Sequence, residues 1–444
     1  MCHLVLSSPR QWISEAMFKT SSTPLMNRTG SAFVVTRLLG FMVVVLIAFL
    51  AIGLNLVVLP LHVHQDLGLS TFVVGLVSGS QFGAALLSRV WAGTYSDTRG
   101  AKRAVIAGLL GAGSAGLVYV LSLAFARSPV ASVSVLLVGR AILGASESFI
   151  ITGALAGGLG AAGPRQTGKV MAWIGTAMYA AFTLGAPLGT MLYESAGFVA
   201  IALATIALPL VSLLIVAPMH AVTASVAQRP SVAKVITAVW VPGVGLALSS
   251  AGFGAVMVFV ALLFAARGWT LAWLPITAFA AAFILARVLL GHLADRLGGA
   301  KVALVSVLIE ATGLAIIWRA PTASVAVIGA VLTGLGYSLI YPAFGLEAVR
   351  RAPAGSQGLA TGAYTSFLDL ALGIASPLMG LLGAHAGLDT VFLASALCVL
   401  GAAVVALRLL RPPQRRIFDE SASPSGVRVP GSCATFHASS SDRT

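Results

Sequence analysis

The chain has 444 residues, of which 58% are hydrophobic and 9% charged, and it carries a formal net charge of +14 at pH 7. Soluble domains carry roughly 25% charged residues, so this composition excludes a water-soluble globular protein and indicates that lipid is the solvent. The positive charge does not indicate nucleic-acid binding, because the bases cluster in short segments between apolar runs. Cys2, Cys398 and Cys433 have no metal-ligand spacing, so we expect no metal and no cofactor.

Two terminal segments are more polar than the rest of the chain. Residues 1–35 are mixed and basic, and residues 411–444 contain serine and proline. We predict a cytoplasmic N-terminal tail and a disordered cytoplasmic C-terminal tail. No apolar core with a cleavage site indicates a signal peptide, and Met17 and Met26 leave later translation starts open.

Twelve apolar runs lie between the tails, and each is long enough for a hydrocarbon core that needs about 20 helical residues. They are rich in glycine and alanine, which favours close helix packing in lipid, and they lack the period-two alternation of barrel strands. We therefore predict an all-α membrane protein with twelve transmembrane helices. In chain order, the predicted spans are 36–60, 71–92, 103–126, 131–156, 169–193, 198–218, 237–265, 270–291, 301–319, 323–345, 358–383 and 389–410.

The basic residues are unevenly distributed between the two sides of these spans. If both termini are cytoplasmic, the outer loops hold only Arg127, Arg267 and Arg319, and most of the 27 bases lie in inner segments. Cytoplasmic loops of membrane proteins carry such an excess. The pattern therefore predicts that both termini are cytoplasmic.

A polar stretch, G-T-Y-S-D-T-R-G-A-K-R (93–103), separates spans two and three. A glycine allows two helix ends to approach closely, and an aspartate can accept hydrogen bonds from N–H groups at a helix N-terminus. We expect this loop to control a conformational change. Its candidate residues are Gly93, Asp97, Arg99, Gly100, Lys102 and Arg103.

A similar stretch, G-H-L-A-D-R-L-G-G-A-K (291–301), follows span eight, 198 residues later. Both copies have a glycine, an aspartate four residues on and a second glycine three further, followed by a base. The recurrence makes an ordinary solvated loop a poor explanation. The candidate residues of the second copy are Gly291, Asp295, Arg296, Gly298 and Lys301.

Further pairs repeat at similar distances, which predicts two similar halves. Gly144 matches Gly336 at an offset of 192, and Pro187 matches Pro377 at an offset of 190. Duplication of this kind is typical of repeat-built transporters. We predict an N-terminal six-helix bundle at 36–218, a cytoplasmic linker at 219–236 and a C-terminal six-helix bundle at 237–410.

The paired loops resemble the signature of the major facilitator superfamily, which lies between spans two and three and returns between spans eight and nine. Thr98 departs from that signature, which usually has a base there. Three further stretches are similar to a YhhS/YfcJ-like bacterial branch, often described as arabinose-efflux-permease-like: G-R-A-I-L-G-A-S-E-S-F (139–149), S-A-G-F-G (250–254) and Y-T-S-F-L-D-L-A-L-G (364–373). The resemblance covers residues 35–410.

This resemblance implies a secondary active transporter with two pseudo-symmetric bundles in a bacterial inner membrane. Its expected partners are a small-molecule substrate, protons and the lipid bilayer, and we expect a monomer that binds no nucleic acid. Proton-coupled efflux of a sugar or xenobiotic is the favoured function. Proton-coupled import of a sugar or organic acid, and a non-transporting membrane receptor, remain alternatives. No phosphate-binding loop or catalytic motif indicates an ATP-driven pump or an enzyme.

Ionisable residues within spans are costly and are therefore functional candidates. Arg140 and Glu147 share a face of span four, and Glu310 and Asp369 lie deep in spans nine and eleven. Low-dielectric surroundings favour the neutral form of a carboxyl group, which suits proton coupling. The resemblance implies such a role for Arg140, which is followed by a glycine four residues later. The alternative for each group is a structural ion pair or hydrogen bond.

Two further sets complete the candidates. The sequence G-A-P-L-G, with Gly185, Pro187 and Gly189, resembles the proline–glycine motif of antiporters, and Pro377 repeats the theme on span eleven; a helix bend is expected at both prolines. The second set comprises polar residues that either line a substrate cavity or join neighbouring helices: Asn55, Gln81, Tyr179, Tyr337, Tyr341 and Tyr364.

Overall fold

The computed structural model describes residues 26–162, 167–219, 232–352 and 357–410, and these ranges contain helices and turns but no strand. Residues 1–25 of the predicted N-terminal tail, most of the predicted linker and the C-terminal tail lie outside them. The helices are α1 (Met26–Leu61), followed by a π-helical turn (His62–Asp66), α2 (Thr71–Arg99), α3 (Ala101–Leu123), α4 (Pro129–Ala162), α5 (Thr167–Val216), α6 (Val232–Ala266), α7 (Leu274–Leu290), α8 (Leu293–Leu297), α9 (Gly299–Trp318), α10 (Ala323–Arg351), α11 (Gln357–Ala386) and α12 (Leu388–Leu410).

Among the described residues, ten helices are long and apolar enough to cross a membrane. One of them, α5, is interrupted at Gly197, whose φ of 68° and ψ of −165° are not helical, and this residue lies at the predicted junction of spans five and six. The remaining predicted span corresponds to α7, which has 17 residues. The all-α membrane fold is therefore confirmed, whereas the count of twelve crossings stays a prediction.

Several helices extend beyond the predicted spans. α1 begins at Met26 rather than at residue 36, and α2 continues to Arg99, so most of the predicted loop at 93–103 is helical. Hydropathy identifies only the part of a helix within the hydrocarbon core, whereas backbone hydrogen bonds continue past it.

Glycines bring the helices together within each half. A Cβ added at Gly53 on α1 would lie 2.6 Å from the carbonyl oxygen of Ala181 on α5, and one added at Gly144 on α4 would lie 1.9 Å from the carbonyl oxygen of Gln81 on α2. Such spacing leaves no room for a side chain. Close backbone approach is a common way of packing helices where lipid removes the hydrophobic drive.

Two equivalent hydrogen bonds reveal the repeat in three dimensions. Ser148 on α4 donates to the carbonyl of Ala85 on α2 at 2.7 Å, and Ser338 on α10 donates to the carbonyl of Phe283 on α7 at 2.8 Å. The serines are 190 residues apart and the acceptors 198. The repeat offset is therefore 198 for α2 and α7, and 190 for α4 and α10.

This offset corrects one predicted match. The counterpart of Gly144 is Gly334, whose added Cβ would lie 2.3 Å from the carbonyl oxygen of Phe279 on α7. Gly336, the predicted partner, instead packs on Ser306 and Glu310 of α9. The prediction was wrong because both glycines lie in the same apolar run, where the sequence alone does not distinguish their contacts.

Helices α2 and α11 join the two predicted halves along much of their length. Thr71 at the start of α2 donates to the carbonyl of Gly380 at 2.8 Å, and added Cβ atoms at Gly75 and Gly79 would meet the carbonyl oxygens of Ser376 and Gly373 at 2.2 and 2.9 Å. α5 and α7 make the repeat-related contact, since Thr277 donates to the carbonyl of Thr183 at 3.2 Å. The described residues up to Leu410 form one compact unit.

Candidate functional site

An ion pair lies between α2 and α11. A guanidinium nitrogen of Arg89 donates a hydrogen bond to a carboxylate oxygen of Asp369. The Asp369 side chain is 6% exposed and that of Arg89 is 23% exposed. A charged carboxylate within a span needs a counter-charge or water, and Arg89 supplies the counter-charge here. Asp369 was a predicted coupling residue, whereas Arg89 was not among the candidates.

Glu147 and Arg140 extend this pair into a charged cluster, defined here as Gln81, Arg89, Arg140, Glu147 and Asp369. The amide of Gln81 donates to Glu147 at 2.7 Å, and Glu147 lies within electrostatic range of both arginines and of Asp369. Arg140 is buried, and its Nε and Nη1 atoms have no hydrogen-bond partner among the described residues. Four of the five members were predicted candidates, and the structure brings them together on α2, α4 and α11.

Glu310 lies apart from the charged cluster. It is fully buried on α9, and within the described ranges neither carboxylate oxygen has a hydrogen-bond partner. Its Oε1 atom is 2.6 Å from the position that a Cβ on Gly252 of α6 would take, and Leu314 and Val399 line the same space. The site is a packing interface of α9 with α6 and α12, so the geometry lends no support to the predicted coupling role.

Aromatic rings fill the contact of α5, α6, α7 and α10. Tyr179 stacks on Phe283 with ring centroids 3.6 Å apart and an interplanar angle of 15°. Phe253 stacks on Tyr337 at 5.0 Å and 9°. Tyr179 and Tyr337 were predicted cavity residues, and the structure places both in this aromatic cluster. Tyr179 belongs to the predicted N-terminal half and the other three rings to the C-terminal half, so the cluster joins the two halves.

The other two tyrosines adjoin this cluster. The hydroxyl groups of Tyr341 and Thr365 are 2.7 Å apart, and Tyr364 donates to the carbonyl of Tyr341 at 2.9 Å. The guanidinium of Arg287 on α7 lies 5.1 Å from the ring centroid of Phe283. It is within electrostatic range of all four tyrosines named here as candidates.

Asn55 joins two helices instead of lining this cluster. Its amide donates to the carbonyl of Ala51 at 2.8 Å and to the hydroxyl of Thr205 at 3.2 Å, and the residue is buried. These partners lie on α1 and on the second segment of α5. The geometry therefore favours the alternative role, a hydrogen bond between helices.

The two loop copies share one backbone feature. Gly100, between α2 and α3, and Gly298, between α8 and α9, both have φ of 92°. L-residues rarely adopt this conformation, which explains the second glycine of each copy. No close helix approach is found at Gly93, where an added Cβ would meet no described atom within 4 Å, and its part in a conformational change stays a prediction. An added Cβ at Gly291 would meet the carbonyl oxygen of Arg287, in the preceding helix α7, at 2.4 Å.

The charged loop residues lie at the surface, with Lys102 partly covered. Lys102 donates to the carbonyl of Ala217 at 2.6 Å, just beyond the end of α5, where a cation interacts favourably with the helix dipole. The Asp295 side chain makes no hydrogen bond or ion pair with the part of the chain described. The carboxylate beside the N-terminus of α9 belongs instead to Glu347, whose Oε1 is 3.1 Å from the position of a Cβ on Gly299. The exposed members of the two copies are Asp97, Arg99, Arg103, Asp295, Arg296 and Lys301.

The proline–glycine motif makes packing contacts. Added Cβ atoms at Gly185 and Gly189 would lie 2.6 and 2.3 Å from backbone atoms of Gly53 and Leu54 on α1. Pro187 lies within α5 and Pro377 within α11, where Pro377 contacts Gly75 and Gly79. The glycines therefore hold α5 against α1, and the predicted bend at each proline stays a prediction.

The positions of Arg89 and Arg287 beside candidate residues were not predicted. Both precede the first glycine of a loop copy by four residues, and they are 198 residues apart. This shared position was the available signal. It was overlooked because the repeat was traced through the polar loops, whereas the arginines lie inside spans.

Comparisons with known proteins agree with this architecture. The sequence model of the Major Facilitator Superfamily matches residues 41–277 and 243–437. Uncharacterized MFS-type transporters of Salmonella typhimurium and Burkholderia mallei are each 43% identical, over 81% of this chain and 93% and 88% of their own lengths. Among solved structures, the nucleoside transporter NupG (TM-score 0.68, 13% identity) and a D-xylose–proton symporter (TM-score 0.67, 14% identity) each cover 84% of this chain, with 100% and 98% of their own chains matched.

Proposed function

Because the chain belongs to the Major Facilitator Superfamily, whose members are transporters and not enzymes, we propose that this secondary transporter couples proton movement to the export of a small molecule. The observation that carries the proposal is the Arg89–Asp369 ion pair, which connects helices of the two predicted halves. The predicted coupling role of Glu310 is not part of the proposal.

Protonation of Asp369 converts the ion pair into a weaker contact between a neutral acid and a cation. The proton binds from outside while α2 and α11 are apart, and it adds to the carboxylate oxygen that accepts from Arg89 when the ion pair is formed. Release of this proton to the cytoplasm restores the carboxylate, and the charge attraction then draws α2 and α11 together again. While Asp369 is neutral, Glu147 is the remaining carboxylate beside the two arginines of the cluster, and it keeps its hydrogen bond from Gln81.

The contact between α2 and α11 supports an alternating-access cycle. In the proposed orientation the Thr71 end of α2 faces outside, and the contacts from Thr71 to Arg89 close that side. Access is then from the cytoplasm, as an exporter requires before it binds its substrate. The loops around Asp97 and Asp295 control the cytoplasmic side, and the Lys102 contact with the end of α5 is part of that control.

Export is favoured over import by the resemblance of the G-A-P-L-G segment to the antiporter motif. We further propose a bacterial inner-membrane location, cytoplasmic termini, a monomeric state, two six-helix bundles at 36–218 and 237–410, and a sugar or xenobiotic as substrate. The placement of bases supports the orientation. The YhhS/YfcJ-like assignment remains a prediction.

Two linked experiments test this function. A deletion and overexpression screen across toxic compounds and sugars identifies a transported compound, and purified protein in liposomes then carries that compound under proton gradients of either direction. Export predicts flux opposite to the proton gradient and its collapse with a protonophore. Flux in the same direction as the protons would establish import instead. Flux that does not depend on the proton gradient would reject proton coupling.

A further inference from the structure

The repeat relates Arg89 of the charged cluster to an arginine in the other predicted half. Arg287 lies 198 residues after Arg89, at the offset that relates α2 to α7. The equivalent bonds from Ser148 to Ala85 and from Ser338 to Phe283 fix this offset independently. The two guanidinium groups therefore occupy matching positions in the two halves.

The acids that surround Arg89 are replaced by tyrosines around Arg287. At the offset of 190, Asp369 corresponds to Tyr179 and Glu147 corresponds to Tyr337. The structure places both tyrosines within electrostatic range of Arg287, as Asp369 and Glu147 are close to Arg89. The same arrangement of helices thus holds a charged cluster on one side and a cation among tyrosines on the other.

Arg287 consequently has no counter-charge beside it among the described residues. No carboxylate of the described ranges lies within 4 Å of its guanidinium, and its buried Nε atom has no hydrogen-bond partner there. Nearby hydroxyl groups have other partners, since Tyr337 contacts Ser250 at 3.2 Å and Tyr341 contacts Thr365 at 2.7 Å. A cation within a span is costly without an anion or water beside it.

We propose that Arg287 binds the carboxylate of an organic anion, which supplies the negative charge that Asp369 provides to Arg89. The ligand body is planar and apolar, because the surrounding walls are the faces of Tyr179, Phe283, Phe253 and Tyr337. Tyr179 and Phe283 stack across the predicted halves, so a ring can enter between them when the halves separate. This substrate class rests on the proposed transport function and favours an aromatic acid over a sugar.

The test measures binding to the purified full-length protein by isothermal titration calorimetry. The probes are benzoate, 3-phenylpropionate and indole-3-acetate, each compared with its neutral primary amide. We expect at least one carboxylate to bind about tenfold or more tightly than its amide, since hydrogen bonds between charged groups are stronger than neutral ones. Arg287→Gln should remove this preference. Arg319→Gln is the matched control, because Arg319 lies 5.2 Å from the ring centroid of Trp318 but is exposed.

A second pair of variants adds the missing acid. Tyr179→Asp places a carboxylate where the repeat has Asp369, and it should lower carboxylate affinity by about tenfold or more relative to Tyr179→Asn. The two variants differ in charge while sharing size, so a difference between them reports the counter-charge and not the lost ring. Their melting temperatures, measured in parallel, verify that both proteins are folded.

The outcomes separate this inference from the proposed function. Equal binding of acids and amides, no binding of any acid by the wild-type protein, or an unchanged preference in Arg287→Gln would each overturn the anion site. If a neutral sugar shows gradient-driven flux while no acid binds, the site is wrong and the transport function stands. If an acid binds through Arg287 while no compound shows gradient-driven flux, the site stands and the proton-coupled function is wrong.

Discussion

Arg89 on α2 donates a hydrogen bond to Asp369 on α11, 280 residues away in the chain. The acid is almost fully buried and the base partly so. Removal of one partner of a buried pair leaves an unpaired charge and typically costs about 3–5 kcal/mol, whereas loss of both charges together avoids that penalty. Because one unpaired charge costs more than none, protonation of the acid can weaken the connection between α2 and α11. The same difference can be measured by comparing single and double variants of the pair.

We predict that Arg89→Gln lowers the melting temperature more than the double variant Arg89→Gln/Asp369→Asn does. Asp369→Asn mimics the protonated acid, so it should retain substrate exchange and lose gradient-driven accumulation by about tenfold or more. Stability is measured by thermal unfolding in detergent. Exchange and gradient-driven flux are measured in liposomes with the compound that the deletion and overexpression screen identifies.

The control for this prediction is the exposed pair of Arg267 and Asp389. Their atoms are 2.8 Å apart, but the side chains are 41% and 38% exposed, and such pairs contribute about 0–1 kcal/mol. Arg267→Gln should therefore leave stability and coupling nearly unchanged. Wild-type driven accumulation in Asp369→Asn would remove Asp369 from the coupling mechanism.

The conformation of the loop glycines leads to a second prediction. Gly100 and Gly298 have φ of 92° and ψ of 152° and 141°, a region that costs L-residues about 1–3 kcal/mol. Gly100→Ala and Gly298→Ala should each lower stability by about that amount. Gly93→Ala, where the added Cβ meets no described atom, should be neutral or stabilising because alanine favours helix. The melting temperatures of the three variants test this prediction. Equal losses of stability at all three sites would contradict the explanation by backbone conformation.

Several features were predictable from the sequence because they depend on composition or on local order. The apolar runs predicted the helical membrane fold, and the spacing of the two loops predicted the repeat. Glu147 and Asp369 were identified as ionisable groups within spans, and the structure gives each a polar partner; their coupling role stays a prediction. These inferences use only the cost of burying polar groups in lipid and the regular rise of a helix.

Other features depend on how the helices are rotated and which neighbours they face. Glu310 and Asp369 look alike in sequence, yet one faces Gly252 in a packing interface and the other faces Arg89. An almost uniformly apolar helix has no polar stripe from which its rotation can be inferred. For the same reason Gly336 was mistaken for the counterpart of Gly144.

The contact between Gly144 and Gln81 gives a third prediction. A Cβ at Gly144 would lie 1.9 Å from the carbonyl oxygen of Gln81, so Gly144→Ala must push α4 away from α2 and disturb the Gln81–Glu147 hydrogen bond. Overpacking of this kind typically costs about 1–3 kcal/mol. Gly175→Ala on α5 is the control, because its added Cβ meets no described atom within 4 Å. A melting temperature of Gly144→Ala equal to that of the control would contradict the packing described here.

The last prediction concerns Glu310. A deeply buried acid need not take part in proton coupling, and Glu310 tests this distinction. Its carboxyl group is as deeply buried as that of Asp369, but the described residues around it offer no base and no hydrogen-bond donor. An amide has the same shape and needs no counter-charge, so it fits the space beside Gly252 and Val399.

We therefore expect gradient-driven flux of Glu310→Gln to stay within about twofold of wild type under conditions in which Asp369→Asn loses it. Glu310→Lys, by contrast, places an unpaired cation against Gly252 and should prevent stable folding. Flux in liposomes is measured for Glu310→Gln and Asp369→Asn at equal protein content, and yield of folded protein is measured for all three variants. Loss of driven accumulation in Glu310→Gln, with exchange retained, would place Glu310 in the coupling mechanism after all and would require a proton path that leads through α9.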